Sequence, residues 1–293
     1  MNWWKSLKGK VKRSEPLNKH TTFRLGGRAD FFIEPKDNQD LKLLLNYAKI
    51  HKLKLLLIGS GSNILAKDGN IRKIIAHLNS GYFAKIKFEN NYCEAGSATV
   101  LARLIKAAHA RSLAGLEFLT GVPGTVGGAL VMNAGAWGKE IADFLTEVKV
   151  MDYNGRVRLM KKEEIKFGYR SSSLDKYIIL GAKFKLSRDS EKNIGNRIAD
   201  YLKKRRSSQD NAFPNAGCIF RNPRGTSAGK LIDLCGLKGR CAGGAVISKK
   251  HANFILNRKN ASAQDVLELV KLIKREVRNK FRINLETEIK IWQ

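Results

Sequence analysis

Three stretches of the chain carry side chains able to do chemistry. "PNAGCIFRNP" (214–223) sets a thiol, Cys218, between small turn-forming residues and the strand-like Ile219-Phe220, with Asn222 just beyond. "FGYRSSSL" (167–174) places Arg170 beside Tyr169 and among hydroxyls. "INLETEIKI" (283–291) alternates, so that Glu288 shares a polar strand face with Asn284, Glu286 and Lys290 while Ile283, Leu285, Thr287, Ile289 and Ile291 share the other. A thiol is an acid and a nucleophile, a guanidinium holds planar anions through paired donors, and a carboxyl moves a proton when its surroundings tune it. Taken singly, each has a plainer reading: an inert buried thiol, a surface arginine, a solvated strand carboxylate.

Two glycine-rich stretches point to phosphate. "IGSGSN" (58–63) leaves a strand-like apolar run through Gly59, Ser60, Gly61, Ser62 and Asn63. Glycines there allow successive N–H groups to turn inward as an anion nest. The dinucleotide fingerprint G-x-G-x-x-G fails because its third glycine position is Ile64. "TGVPGTVGGALVMNAGAWG" (120–138) holds Gly121, Gly124, Gly127, Gly128, Gly135 and Gly138 around Thr125, with Gly115 just upstream. Two such segments in one half of the chain suggest a dinucleotide diphosphate held by backbone. "GTSAGK" (225–230), which ends at Lys230, is one residue too short between its glycines for a P-loop, and Leu231 follows where Ser or Thr is needed.

The elements that must position these residues show in the periodicity. Leu41, Leu44, Leu45 and Ala48 mark a helix over 38–52, with Asn38 as its expected N-cap. The run ending at Ile58 reads as a buried strand. A second helix is expected from Ser97, with Val100, Leu101, Leu104, Ile105 and Ala108 on its apolar face. A hairpin is expected around Asn154-Gly155, a strand over 177–186, and a helix over 196–205, after a polar stretch at 187–192 that suggests a boundary. Ser262 and Asp265 fit a capping box ahead of the stripe Val266, Leu269, Val270, Ile273 and Val277. Helices mixed with many short strands give an α+β or α/β chain.

Composition sets limits. The 293 residues suffice for two or three sub-domains with real cores, and no apolar run approaches the roughly 18–20 residues that cross a bilayer. The N-terminal "MNWWKSLKGKVKR" is a poor signal peptide. Its tryptophans suit a membrane surface less well than a short helix packed on the body. The four cysteines, at 93, 218, 235 and 241, form no C-x-x-C and no histidine stands at ligand spacing, so no metal is expected. Without a secretion signal, reduced thiols in the cytoplasm are the default. The net charge of +29 fits a lysine-biased surface, capture of small anions, or nucleic acid. The basic residues are spread along the chain, and no C₂H₂ or RNP1 motif accompanies them.

In order, "TTFRLGGRAD" (21–30), "IGSGSN", "GVPGTVGGALVMNAGAWG", "YRSS", "NAGCIFRNP", "AGKLID" with "GLKG", and "LETE" resemble the UDP-N-acetylenolpyruvoylglucosamine reductase family, from about Thr21 to the C-terminus. The resemblance implies a vanillyl-alcohol-oxidase-type (PCMH) two-part FAD-binding fold plus a C-terminal α+β substrate domain. It divides the chain into a basic extension (1–20), an FAD-binding domain (21–188, lobes of about 21–80 and 81–188) and a substrate-binding domain (189–293). It implies non-covalent FAD reduced by NADPH, hydride passed to C3 of an enolpyruvyl UDP-sugar, and a protein acid protonating C2, in the cytoplasmic synthesis of peptidoglycan precursors. The family's hydroxyl acid, usually serine, matches Cys218; its arginine matches Arg170 and its glutamate Glu288. Gly59 to Asn63 and the glycines around Thr125 match the FAD positions; Tyr169, Asn222 and Lys230 match substrate positions. The short distance from "YRSS" to the third domain leaves no room for the substrate-clamping loop of the longer subtype, so the shorter (type II) subtype is implied. A flavin oxidase of alcohols or lactones on the same fold is the alternative, and burial is expected to raise the pKa of Glu288.

Overall fold

The computed structural model describes residues 3–292. The chain forms two compact units, and it passes between them more than once. The first holds the chain up to Arg13, Phe31–Ser60 and Lys73–Lys204; the second holds Ser14–Asp30, Gly61–Arg72 and the chain from Arg205.

In the first unit, helix α1 (Asn38–Ile50) turns Leu41, Leu44, Leu45 and Ala48 into a core with Ile33, Ile74 and Ala76. Its N-cap is Asp37, not Asn38: the Asp37 carboxylate accepts the N–H groups of Gln39 (2.9 Å) and Asp40 (3.0 Å). The short 3₁₀ turn Trp3–Ser6 belongs to this core. Trp3 is only 9% exposed against Phe31 and Tyr47, so the tryptophan expected to pack inward does so. Strand Leu55–Ile58 pairs in parallel with Asn70–His77, within a sheet that also takes in Arg28–Glu34 and Lys10–Pro16.

The rest of this unit is a five-stranded antiparallel sheet in the order Val157–Lys161, Leu145–Met151, Ile178–Lys185, Tyr92–Gly96, Ile86–Glu89. The hairpin expected at Asn154-Gly155 is there, but its loop is built on Asp152, whose carboxylate accepts the N–H groups of Asn154 and Arg156 at 2.9 Å. Helices α2 (Leu101–His109) and α3 (Val126–Val131) share a core with this sheet. Helix α2 starts four residues later than its apolar spacing suggested, and Val100, expected on its buried face, is its exposed N-cap. Residues 97–99 are diverted into an isolated bridge ladder with the glycine-rich segment: Val126 N–H donates to Thr99 C=O and Gly127 N–H to Ser97 C=O, both at 2.9 Å. Helix α4 (Glu191–Ser208) begins in this unit, where Arg197 reaches the buried Glu117 (Nη2–Oε1 2.8 Å) and Asp189 (2.7 Å). The other Glu117 oxygen accepts the Gly115 N–H, which anchors the chain just before the glycine-rich segment.

The second unit centres on helix α6 (Ala263–Phe281), whose apolar stripe Val266, Leu269, Val270, Ile273 and Val277 is buried. The expected Ser262/Asp265 capping box is present. Asp68 adds a second anionic cap, accepting Ala263 N–H (3.0 Å) and Gln264 N–H (3.1 Å). Helix α5 (Ala228–Leu234) starts on Ser227, so the P-loop look-alike is a helix cap. A three-stranded antiparallel sheet joins Cys241–Ala242, Ala245–Ile247 and Ile255–Asn257. The alternating segment 283–291 is regular strand only at Lys290–Trp292, paired in parallel with Ile64–Ala66. Upstream it is extended chain that touches its neighbour at a single bridge, Thr287–Phe220.

Candidate active site

The two glycine-rich segments meet inside the first unit. A methyl group on Gly59 would lie 2.7 Å from Thr125 Oγ1, so backbone at the end of strand Leu55–Ile58 runs against the start of α3. Gly121 (φ +76°), Gly124 (φ +151°) and Gly61 (φ +63°) adopt backbone conformations that L side chains rarely take. The Gly127 and Gly128 amides serve the fold instead, donating to Ser97 C=O (2.9 Å) and to Thr125 Oγ1 (3.3 Å).

This region also has buried hydroxyls in need of a partner. Ser97 Oγ, Thr99 Oγ1 and Thr120 Oγ1 are buried without a hydrogen-bond partner among the described residues, as is Asn133 Oδ1. Native interiors tolerate few such groups, and an unfilled ligand position is a standard cause. Close backbone approach, positive-φ glycines and orphaned hydroxyls together suit a dinucleotide diphosphate, which accepts hydrogen bonds at many oxygens. The residues therefore fit FAD. Spacing alone did not pick out Ser97, Thr99 or Thr120; their clue was a cluster of small hydroxyl residues flanking a glycine-rich turn.

Ser62 and Asn63 continue this loop in the second unit. The Asn63 side chain donates to the Glu288 carbonyl (3.1 Å), and its own carbonyl accepts the Lys290 N–H (2.9 Å). Thr22 N–H donates to Gly61 C=O (3.2 Å), which ties in the "TTFRLGG" segment.

Arg170 sits at the tip of a tight hairpin, Phe167–Gly168 with Ser171–Ser172, in the left-handed region at φ +54°. That conformation costs a non-glycine residue about 1–2 kcal/mol. Asn133, fully buried, holds the hairpin by donating to Gly168 C=O (3.2 Å) and Glu140 Oε2 (2.6 Å). The Arg170 guanidinium lies over the half-exposed Tyr169 ring, 5.1 Å from its centroid. Gly135 leaves it room: a methyl there would come within 3.3 Å of Arg170 Nη1.

Cys218 and Glu288 lie in the second unit on neighbouring extended segments. The Phe220–Thr287 bridge sets Ile219 opposite Glu288, whose N–H donates to Ile219 C=O at 2.8 Å, so Cys218 is one residue out of register with Glu288. On its other side Cys218 bridges Phe254. Asn222 Oδ1 accepts the Ala228 N–H (3.0 Å) and so helps start α5, on which Lys230 is exposed. Among the described residues no group of His, Cys, Asp and Glu is placed to hold a metal ion.

The other thiols differ sharply in environment. Burial pushes Cys93 up to about 12, with Glu94 adding to the rise and Arg111 opposing it. Cys241 is exposed. Iodoacetamide at pH 8 is expected to modify Cys241 well before Cys93 in the native protein, because the thiolate is the reactive form; peptide mapping that finds the two equally labelled would contradict this burial.

The fold and the glycine-lined cradle define an FAD-binding oxidoreductase. A profile of the FAD binding domain matches residues 29–160, and one of the UDP-N-acetylenolpyruvoylglucosamine reductase C-terminal domain matches 208–292. The chain is 40% identical to the UDP-N-acetylenolpyruvoylglucosamine reductase of Moorella thermoacetica over 98% of its length and 94% of that protein's. It is 41% identical to the one from Listeria innocua over 96% and 94%. A crystal structure of the Thermus caldophilus reductase, MurB, superposes with a TM-score of 0.83 at 34% identity, over 98% of this chain and all of that one. The chain belongs to the UDP-N-acetylenolpyruvoylglucosamine reductase family.

Proposed function

We propose that this chain reduces UDP-N-acetylenolpyruvoylglucosamine to UDP-N-acetylmuramate with NADPH, using non-covalent FAD, in peptidoglycan precursor synthesis. Similarity that runs from end to end of both chains, through the cofactor domain and the substrate domain alike, carries this reading.

When bound, FAD would supply the hydride-transfer chemistry that links NADPH to C3 of the enolpyruvyl group. Everything else falls to the chain's own residues. Gly59 to Asn63, Gly121, Gly124 and Thr125 would hold the cofactor's diphosphate, with Gly127 and Gly128 permitting close approach of the backbone while their own amides serve the fold. Hydride arrival at C3 drives negative charge through C2 into the substrate carboxylate, and Arg170 offers a fixed cation with planar donors for those oxygens. Cys218 delivers the proton to C2. Glu288 supports the same charge when protonated or paired with a cation. Tyr169, Asn222 and Lys230 contact the sugar nucleotide. The assignment divides the chain into a basic extension (1–20), an FAD-binding domain (21–188) and a substrate-binding domain (189–293), in the shorter subtype without a clamping loop.

The basic surface speeds capture of anionic FAD, NADPH and UDP-sugar, with no specific nucleic-acid partner. No described helix is long and apolar enough to cross a membrane, and we assign the protein to the cytoplasm, where its nucleotide substrates are made. Fresh protein is expected to show a flavin spectrum and to consume NADPH beyond the single equivalent that reduces its flavin only when the enolpyruvyl sugar nucleotide is present. A flavin spectrum with NADPH oxidation indifferent to that substrate would favour the alcohol or lactone oxidase. A colourless protein with salt-sensitive DNA binding would refute both.

A further inference from the structure

Residues 217–221 belong to no regular strand. Single bridges, Cys218 to Phe254 and Phe220 to Thr287, are their ladder contacts. Their placement therefore depends on side chains, and one side chain dominates. Asn253 stands in the apolar run Ala252-Asn253-Phe254 and is 2% exposed. An amide buried there is costly unless both of its ends are paired. Both are: Oδ1 accepts the Phe220 N–H (2.9 Å), and Nδ2 donates to the Phe220 C=O (2.8 Å). The side chain thus grips one peptide unit from both sides, as a neighbouring strand would. The Asn253 backbone carbonyl adds a third bond, from the Ile219 N–H at 2.9 Å.

The turn that carries Asn253 is itself anchored. Ser248, almost fully buried, donates to Asp210 Oδ2 (2.6 Å) and accepts the N–H groups of Lys250 and His251 at 3.0 Å. Upstream of Cys218, the Gly217 N–H donates to Asn215 Oδ1 (2.9 Å), and Asn215 Nδ2 donates to the Asp210 carbonyl (3.2 Å). Asp210 thus roots both flanks of the thiol, while Asn253 supplies the side-chain grip on the chain immediately after it, beside the backbone bonds of Ile219 and Arg221 to Glu288 and Glu286.

We propose that Asn253 is a positioning residue for proton transfer from Cys218, its two-ended grip on Phe220 setting the direction of the Cys218 Sγ. This rests on the assignment of Cys218 as proton donor.

The test uses the holoenzyme and follows its two half-reactions separately by flavin absorbance. In Asn253→Ala, flavin reduction by NADPH is expected at the wild-type rate. Reoxidation by UDP-N-acetylenolpyruvoylglucosamine is expected to slow by about 10², the size of effect a misplacement near 1 Å produces, with a larger solvent deuterium isotope effect. Asn253→Asp keeps an acceptor for the Phe220 N–H and is expected to fall between. In a Cys218→Ala background, Asn253→Ala is expected to add less than about threefold, because the two act on one step. Parallel loss in both half-reactions, an unchanged isotope effect or full additivity would overturn the proposal. So would failure of both Asn253 variants to fold, which would mark a purely structural residue. The underlying assignment fails separately: wild-type reoxidation in Cys218→Ala removes the donor itself, whereas a slow Cys218→Ala beside unimpaired Asn253 variants removes Asn253 alone.

Discussion

Cys218→Ala is expected to reduce its flavin with NADPH as fast as the wild type, yet to reduce the enolpyruvyl substrate about 10²–10⁴-fold more slowly, the usual contribution of a positioned acid. The split follows from what the side chain is asked to do. Hydride transfer from NADPH to FAD needs no proton from Cys218, whereas quenching charge at C2 of the substrate does. Because Cys218 is held by backbone bridging and by its neighbours' hydrogen bonds, removing the sulfur should leave the segment in place. Stopped-flow traces of each half-reaction decide it, and equal slowing of both would make Cys218 structural. Cys218→Ser is the companion experiment. A thiol ionises near pH ~8.5 in water, and a thiolate has no proton to give, so wild-type activity should fall on the alkaline side. An alcohol does not ionise in that range, so the serine variant's alkaline limb should move upward. Identical profiles would show that Cys218 is not the titrating group.

Gly61→Ala is expected to lose most of its flavin and to destabilise the protein by about 2–5 kcal/mol. Two costs combine. The backbone sits at φ +63°, worth about 1–2 kcal/mol for a residue with a Cβ. The methyl would also overlap the His20 carbonyl oxygen, an overpacking cost of about 1–3 kcal/mol. Gly69 is the control: its φ is +76°, and a methyl there meets nothing within 4 Å. Gly69→Ala should incur the conformational cost alone and keep its flavin. Thermal unfolding and the 450-nm flavin band, the latter read at roughly the level expected of full occupancy in the wild type, separate the two. Equal effects in both variants would mean that the contact of Gly61 with His20 does not constrain the cofactor loop.

Local signals were legible in the sequence where a single element satisfied itself. The stripe from Val266 to Val277, its Ser262/Asp265 cap and the inward packing of Trp3 all follow from spacing and capping chemistry. Glycine density likewise marked the two segments that the structure brings together at Gly59 and Thr125. Misreadings arose where distant chain supplied the partner. Residues 97–99 look helical, but their carbonyls are taken by Val126 and Gly127. Residues 283–289 alternate like a strand, yet only one bridge forms there because the neighbouring segment is itself irregular. Asn253 gave one clue, a polar amide inside an apolar run, but its partner lies 33 positions away, and no spacing rule reaches that far.

The flank of the Gly59–Asn63 loop is completed by chain far removed in sequence. Asn63 and Glu288, 225 positions apart, share a hydrogen bond beside the parallel pairing of Ile64–Ala66 with Lys290–Trp292. Pairing them closes a loop of that length, so this flank is a late, long-range contact in folding rather than a local one.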